Sequence, residues 1–159
     1  MNLSDIILYT GSRNQNLEID GNSGPDGYII SHNNYGDRNY YKNTDSSLTI
    51  NELSQGQEIV INFSGFEMYY IGTRSGCNED YLQISGLQSG TRKYCSDPAY
   101  SPSLNRDIKL TARSDRIKFR FVTNWNGASR ADGFRLRYRG EKKLHAISVI
   151  LRYCDSNQC

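Results

Sequence analysis

Four cysteines and two histidines are the residues of this sequence that could bind a transition metal or act as nucleophile and base. The cysteines are Cys77, Cys95, Cys154 and Cys159. No two of them have the Cys-x-x-Cys spacing of a zinc site, and neither His32 nor His145 belongs to a recognisable ligand motif. We therefore favour two disulfide bonds formed in an oxidising compartment over four reduced thiols.

Catalytic chemistry has little support among these residues. Neither His32 nor His145 lies in a nucleophile or base motif, and no glycine-rich phosphate loop follows a strand and opens a helix. The adjacent carboxylates Glu79 and Asp80 could serve a small carbohydrate-active enzyme domain, because glycosidases use a pair of acids. That is the less favoured alternative, and we predict a protein that is not an enzyme.

The charge of the chain is unevenly distributed along its length. Residues 1–90 carry four basic and eleven acidic side chains, whereas residues 91–159 carry fifteen basic and six acidic ones. The two parts therefore have net charges of −7 and +9, although the whole chain has only +2. A division of this size favours an acidic partner for the basic part.

Two segments alternate apolar and cationic residues, and they are the candidate binding elements. Residues 117–121 and 134–138 each turn three apolar side chains to one side, as a half-buried strand does. The outward cations are Arg116, Lys118 and Arg120 on one segment and Arg135, Arg137 and Arg139 on the other. If the two strands share a sheet, six cations form one patch for an extracellular protein or an acidic glycan. The alternative is a solvated face with acidic cross-strand partners. Nucleic acid is not expected, because the aromatic residues here point inward.

Three further residues are candidates for contact or modification. Trp125 is the only tryptophan and lies among polar residues, where it could anchor a partner or plug one end of the fold. Asn2 and Asn62 each begin an Asn-x-Ser glycosylation sequon. Asn62 is on the outward side of its predicted strand, so a glycan there is sterically allowed.

Period-two patterns predict strands throughout the chain. The clearest other cases are residues 59–63 and 81–84, with shorter ones at 29–30 and 48–50. Segments rich in glycine, asparagine and proline, such as residues 21–27, separate them, and no stretch combines a helical period with caps. No apolar run approaches the roughly 18 residues needed to cross a bilayer. We therefore predict an all-β sandwich or barrel without a membrane span.

Six segments, in this order and spacing, resemble the CUB domain family. They are Gly27-Tyr28-Ile29-Ile30, Phe63-Ser64-Gly65-Phe66, Cys77-Asn78-Glu79-Asp80-Tyr81-Leu82, Tyr94-Cys95-Ser96, Phe119-Arg120-Phe121 and Gly133-Phe134-Arg135-Leu136. The resemblance implies a jelly-roll-like sandwich of two antiparallel sheets in a secreted, extracellular module that binds proteins or glycans without catalysis. It also implies a disulfide between Cys77 and Cys95.

The chain divides into three parts on this interpretation. Residues 1–26 form an N-terminal extension, residues 27–140 the CUB-like domain, and residues 141–159 a C-terminal extension with two cysteines. We expect Cys154 and Cys159 to pair with each other, since four residues separate them. A bond between chains is the alternative and would make the protein a disulfide-linked oligomerisation module, a homo-oligomer.

The sequence departs from the family pattern at two places. Ser46 and Leu48 stand where the family has Cys-x-Trp, so its usual first disulfide is missing, and we expect residues 6–9 to add a strand in its place. Many CUB domains bind calcium through a glutamate and two aspartates, and the matching residues here are Tyr69, Asp80 and Asn124. Only one carboxylate remains, although Glu67, Glu79 and Asp132 are near in sequence. We therefore expect any calcium at Asp80 and Asn124 to bind weakly and Asp80 to be chiefly structural.

Overall fold

The structure, a computed structural model, describes residues 4–10, 14–22, 24–69, 76–124 and 131–140. These ranges contain ten β-strands and no helix, hence none that could span a membrane. The strands are β1 (Ser4–Ile7), β2 (Asn16–Asp20), β3 (Asp26–Ile30), β4 (Asp45–Asn51), β5 (Glu58–Glu67), β6 (Tyr81–Ser85), β7 (Arg92–Tyr94), β8 (Asp107–Thr111), β9 (Ile117–Val122) and β10 (Gly133–Gly140). The predicted all-β class is confirmed.

The strands form a sandwich of two five-stranded sheets. The first sheet has the order β1-β3-β10-β5-β8 and the second the order β2-β4-β9-β6-β7. Neighbouring strands are antiparallel except for β1 beside β3 and β2 beside β4, which are parallel. The jelly-roll-like sandwich implied by the family resemblance is therefore present, with one parallel strand added at an edge of each sheet.

The core lies between the sheets and consists of the inward residues of the alternating strands. Phe119 and Phe121 of β9 and Phe134 of β10 are fully buried. The rings of Phe121 and Phe134 meet edge to face at 5.3 Å and join the two sheets. Such a contact contributes about 0.5–1.5 kcal/mol beyond the burial of its area.

The N-terminal segment supplies both of the parallel edge strands. β1 and β2 are linked by an isolated bridge between Tyr9 and Asn14, and Leu8 between them is fully buried. The amide of Gln15 donates a hydrogen bond of 3.0 Å to Ser46 Oγ, in the place where the family has a cysteine. The segment therefore packs along one edge of the sandwich and contacts the strand that has lost the family's disulfide.

The sheet order does not meet the condition under which six cations would form one patch, namely that both strands share a sheet. β9 is in the second sheet and β10 is in the first. Both strands turn their apolar residues to the shared core, so their outward residues face solvent on opposite sides of the sandwich. Lys118 and Arg120 are consequently separated from Arg135, Arg137 and Arg139 by the whole thickness of the fold.

The disulfide Cys77–Cys95 closes the loop between β5 and β6 onto the end of β7. Both cysteines are buried, and their Cα atoms are 5.5 Å apart. We predict that the double variant Cys77→Ala/Cys95→Ala is destabilised by about 3 kcal/mol, because a crosslink over a separation of 18 residues limits the unfolded chain. Urea unfolding of the variant and parent measures this difference. Equal unfolding midpoints and slopes would contradict it.

Candidate functional site

The outer face of the first sheet presents a row of three arginines on β10. Arg135, Arg137 and Arg139 point outward because Phe134, Leu136 and Tyr138, which alternate with them, are buried in the core. Arg137 lies between Tyr28 of β3 and Asn62 of β5, which are its partners in the two ladders. The central strand of the sheet therefore carries a line of guanidinium groups across the middle of this face.

Two of these arginines pair with aspartates of other strands, Asp26 on the adjacent β3 and Asp107 on β8, beyond β5. The guanidinium of Arg137 donates to both carboxylate oxygens of Asp26 at 3.2 and 3.0 Å, and Arg139 pairs with Asp107. The side chains of both pairs are about half exposed, so each pair contributes at most about 1 kcal/mol to stability. Acidic cross-strand partners, the alternative that the sequence left open, therefore occur at these two positions.

Arg135 has a different environment. Its guanidinium carbon lies 4.0 Å from the centroid of the Tyr28 ring, in a cation–π contact. Among the described residues, no carboxylate lies within ion-pair distance of it. It borders a cavity of about 430 Å³ whose other lining residues are Asp5, Ile7, Ile30, His32, Asn33, Tyr35 and Gly36. Arg135 is thus the member of the row whose charge is best placed to meet an external anion.

The loop after β3 forms one wall of this cavity through Tyr35. A Cβ atom at Gly65 of β5 would collide with the Tyr35 hydroxyl, so the glycine leaves room for the phenol over the sheet. The β5–β10 register shifts between Arg135 and Leu136, beside this contact. Burial raises the pKa of Tyr35, with the negative charge of Asp132 acting in the same direction. The phenol is therefore a neutral hydrogen-bonding group at neutral pH.

His32 fastens the same loop to the residues before β10. Its Nε2 lies 2.9 Å from the carbonyl oxygen of Asp132 and must donate, while its Nδ1 accepts from the Asn34 amide at 3.3 Å. The ring is fully buried beside Tyr35, Tyr40 and Tyr41. Burial lowers the pKa of His32, and the Asp132 hydrogen bond and charge oppose this only in part. The neutral imidazole is therefore the form that fits this site.

Asp80 connects separate segments at the adjoining end of the sandwich through hydrogen bonds. It is almost fully buried, and its two oxygens accept from the Tyr40 hydroxyl at 2.5 Å and the Asn124 amide at 2.6 Å. The Tyr40 oxygen in turn accepts from the Tyr69 amide at 2.7 Å. Burial raises the pKa of Asp80 while these hydrogen bonds oppose the rise, and burial together with Asp80 raises the pKa of Tyr40. One buried carboxylate therefore joins the segments around residues 40, 69 and 124.

This arrangement offers a calcium ion only one of the three carboxylates expected from the family. Both Asp80 oxygens also accept hydrogen bonds, and Tyr69 is half-buried where the family has a glutamate. The described part of the chain contains no cluster of three or more acidic, histidine or cysteine side chains that could hold a metal. Hard cations need several oxygen ligands, commonly from more than one carboxylate.

The hydrogen bonds of Asp80 also disfavour the alternative of a carbohydrate-active enzyme that uses Glu79 and Asp80. A glycosidase pair requires two carboxylates that both reach the substrate. Asp80 is 1% exposed and bonded at both oxygens, so it and Glu79 do not form an open acid pair.

The cations of the second sheet have acidic partners as well. Arg120 donates to both oxygens of Asp45 at 2.7 Å, and Arg116 pairs with its neighbour Asp115 at 3.1 Å. Lys118 is exposed on the same strand face. This surface is a charged face with neighbouring acids, opposite to the face that carries Arg135.

Several candidates from the sequence lie outside the described residues. They are Trp125, Asn2, Cys154 and Cys159. Sequence reasoning in turn overlooked Tyr28, Tyr35, His32 and Tyr40 as parts of the site. The unusual number of tyrosines, twelve against five phenylalanines, was the available signal, but it does not say which rings meet a cation or a carboxylate.

Comparison with known proteins gives one matching family and one curated relative. The family model described as the CUB domain matches residues 20–138, so β1 and nearly all of β2 lie before the match. A zinc metalloproteinase of Caenorhabditis elegans, nas-39, is 29% identical over 114 residues, which are 66% of this chain and 12% of that protein. The chain therefore spans about an eighth of that relative's length.

Solved structures share the fold. The CUB1-EGF-CUB2 domains of rat MASP-1 align with a TM-score of 0.59 and 14% identity, over 79% of this chain and 42% of that one. The MASP-1 CUB2 domain bound to Ca2+ aligns with 0.55 and 24%, over 78% and 96%. The full extracellular region of zebrafish Gpr126/Adgrg6 aligns with 0.56 and 17%, over 79% and 14%. At these identities the likeness shows the fold alone.

We predict that Tyr40→Phe lowers the free energy of unfolding by about 2–4 kcal/mol. The change leaves Asp80 Oδ2 and the Tyr69 amide without the hydroxyl that each uses, and a buried polar group without a partner costs about 1–3 kcal/mol. Tyr41→Phe is the matched control, since it removes one partly exposed hydrogen bond to Asn34 and should cost under about 1 kcal/mol. Urea unfolding measures both, and equal losses would show that the Asp80 network is not stabilising.

We predict that His32 makes the fold less stable in acid. Because its pKa is lowered in the folded state, the unfolded chain binds the proton more readily. Its stabilising contribution is complete above the unfolded pKa of about 6.5 and falls as the pH drops below that value. Asp80 acts in the opposite direction, because its folded pKa is raised and acid relieves the buried charge.

The measurement is urea unfolding at about pH 7.5 and about pH 5.5, on either side of the histidine range. The parent and His145→Gln should both lose stability between these values, whereas His32→Gln should lose less. An equal loss in all three proteins would mean that His32 does not cause the acid sensitivity.

Proposed function

The chain belongs to the CUB domain family, and we propose that it is an extracellular, non-catalytic module that binds an acidic protein or glycan through the outer face of its first sheet. CUB domains are typically extracellular protein-interaction modules, which supports the general role. The disulfide Cys77–Cys95 supports an oxidising location. The metalloproteinase activity in the name of one relative belongs to that much longer protein, of which the matched residues are 12%.

We choose the outer face of the first sheet because of the position of Arg135. Its guanidinium is planar and can donate two parallel hydrogen bonds to a carboxylate or a sulfate. The Tyr28 ring holds the group at the border of the 430 Å³ cavity, with the Tyr35 phenol in the same lining. An anion bound there would meet the Arg135 cation and the neutral Tyr35 hydroxyl, and the exposed carboxylate of Asp5 in the same lining would favour the end of the cavity at Arg135.

Arg137 and Arg139 extend the same site along β10. Their aspartate partners are half exposed, and such pairs contribute little free energy. A ligand with several negative groups can therefore replace these contacts at small cost, while the row guides its approach. This proposal does not require calcium, since the contacts to the ligand come from Arg135, Arg137 and Arg139.

We predict that Arg135→Glu/Arg137→Glu elutes from a heparin column at a lower salt concentration than the parent. Heparin is the probe because it carries dense sulfate and carboxylate groups. The expected shift comes from the loss of two direct contacts and of the attraction around them, which is screened beyond about 8 Å in physiological salt.

Lys118→Glu/Arg120→Glu is the matched control on the opposite face. It changes the net charge by the same amount and also breaks one exposed ion pair, that of Arg120 with Asp45. We expect a clearly smaller shift for this variant and nearly unchanged melting temperatures for both. Equal shifts would mean that heparin senses only the net charge, and no shift in the first variant would refute the proposed face.

A further inference from the structure

We propose that Asn62 carries an N-linked glycan that covers the Arg137–Arg139 half of the arginine row and leaves the Arg135 half open. The glycan is inferred independently of the binding role, whereas its effect on binding rests on the proposed function. Residues 62–64 form the sequon Asn-Phe-Ser. The whole row, including Arg137 and Arg139, is therefore open to a partner only in protein without the glycan, and the glycosylated protein binds through the Arg135 half.

Asn62 lies at the middle of the outer face. Its Cα partners are Arg137 on β10 and Asp107 on β8, and its Nδ2 donates to Asp107 Oδ1 at 3.2 Å. Phe63, the middle residue of the sequon, points the other way and is fully buried. The acceptor atom therefore points to solvent while the strand is anchored in the core.

A cavity of about 200 Å³ adjoins this acceptor. Its lining residues are Tyr28, Val60, Asn62, Ser64, Asp107, Arg137 and Arg139. This volume is below that of a site for a drug-sized ligand, which suits a first sugar ring lying against the sheet. Hydroxyl and acetamide groups of such a ring would meet the charged heads of Arg137 and Asp107 and the Tyr28 ring.

The modification is compatible with the hydrogen bond that Asn62 makes. A transferase joins Nδ2 to C1 of a sugar, using a lipid-pyrophosphate oligosaccharide as the donor. The C1–oxygen bond of the donor breaks, the lipid pyrophosphate leaves, and a base of the transferase takes one proton from Nδ2. The second N–H remains on Nδ2 and can still donate to Asp107.

The register of β5 and β10 explains why the glycan covers only half of the row. Arg137 is opposite Asn62 and Arg139 is opposite Val60, whereas Arg135 is opposite Gly65, beyond the register shift. The phenol of Tyr35 covers Gly65 and separates that end of the face. Arg135 therefore stays open to a partner through the second cavity, which it shares with Tyr35.

Ser64 provides a matched pair of variants for the test. Its side chain is exposed, and its hydroxyl donates to the Arg135 carbonyl at 3.2 Å. Ser64→Ala destroys the sequon and Ser64→Thr preserves both the sequon and the hydroxyl. Both changes are made together with Ser4→Ala, so that Asn2 cannot be glycosylated, and the full chain is secreted from eukaryotic cells.

The first readout is the intact mass before and after treatment with an N-glycosidase. Ser64→Thr should lose the mass of a glycan on treatment, and Ser64→Ala should show no change. An unmodified Ser64→Thr protein would overturn the proposed site, whatever either protein binds.

The second readout is elution from heparin. The glycosylated Ser64→Thr protein should elute at lower salt than Ser64→Ala but should still be retained through Arg135. The control is Ser64→Ala with Glu18→Thr, which creates a sequon at Asn16 on the outer face of the second sheet. A glycan there should not lower the elution salt.

The outcomes separate the two proposals. Equal elution of glycosylated Ser64→Thr and Ser64→Ala would overturn the covering of the arginine row while leaving the glycan established. An equal decrease from the Asn16 glycan would also overturn it, because any glycan would then act alike. If Ser64→Ala itself is not retained by heparin, the proposed function fails, and the mass result still decides the glycosylation site.

Discussion

The burial of two alternating sheets against one core is the constraint on which the remaining features depend. Phe121 and Phe134 meet at 5.3 Å between the sheets, and each fixes the direction of every second side chain on its own strand. Once Phe134 is inward, Arg135 is outward on one side of the molecule. Once Phe121 is inward, Arg120 is outward on the other. The same contact that stabilises the fold therefore divides its cations between two faces.

The sequence predicted β3, β4, β5, β6, β9 and β10, because local periodicity marks these strands and their faces. The added strand expected at residues 6–9 only overlaps β1, and β2, β7 and β8 were not predicted. The sequence predicted less well which strands share a sheet, since pairing joins residues far apart, as Arg120 with Asp45 and Arg137 with Asp26. The six cations at β9 and β10 therefore could be taken for one patch, although the two strands carry them on opposite faces of the sandwich. The structural role expected for Asp80 agrees with its hydrogen bonds, but the part of Tyr40 could not be predicted. Two adjacent tyrosines in a sequence indicate that one of them is buried. They do not indicate which carboxylate its hydroxyl bonds to, here that of Asp80.

The missing disulfide of the family shows how local chemistry can change while the fold persists. Ser46 and Leu48 of β4 are buried, and β2 pairs with this strand in parallel. The Gln15 amide bonds to Ser46 Oγ, and Leu8 and Leu17 add apolar contacts. A crosslink stabilises mainly by restricting the unfolded chain, whereas added strands stabilise by burying surface in the folded one. The N-terminal segment and a disulfide can thus support the same edge by different physical means.

Contacts within the arginine face hold some of its side chains in place before a ligand binds. Ordering a long side chain on binding costs about 0.5–1.5 kcal/mol, so groups that are already held bind with less loss. Arg135 lies against Tyr28, Tyr35 lies over Gly65, and His32 holds the loop that carries Tyr35. The Asp80 network fixes the next segment at Tyr40. These contacts fix in advance one wall and one cation of the cavity. The surroundings of Arg135, more than the number of cations, therefore distinguish this face from the opposite face, which carries Arg116, Lys118 and Arg120.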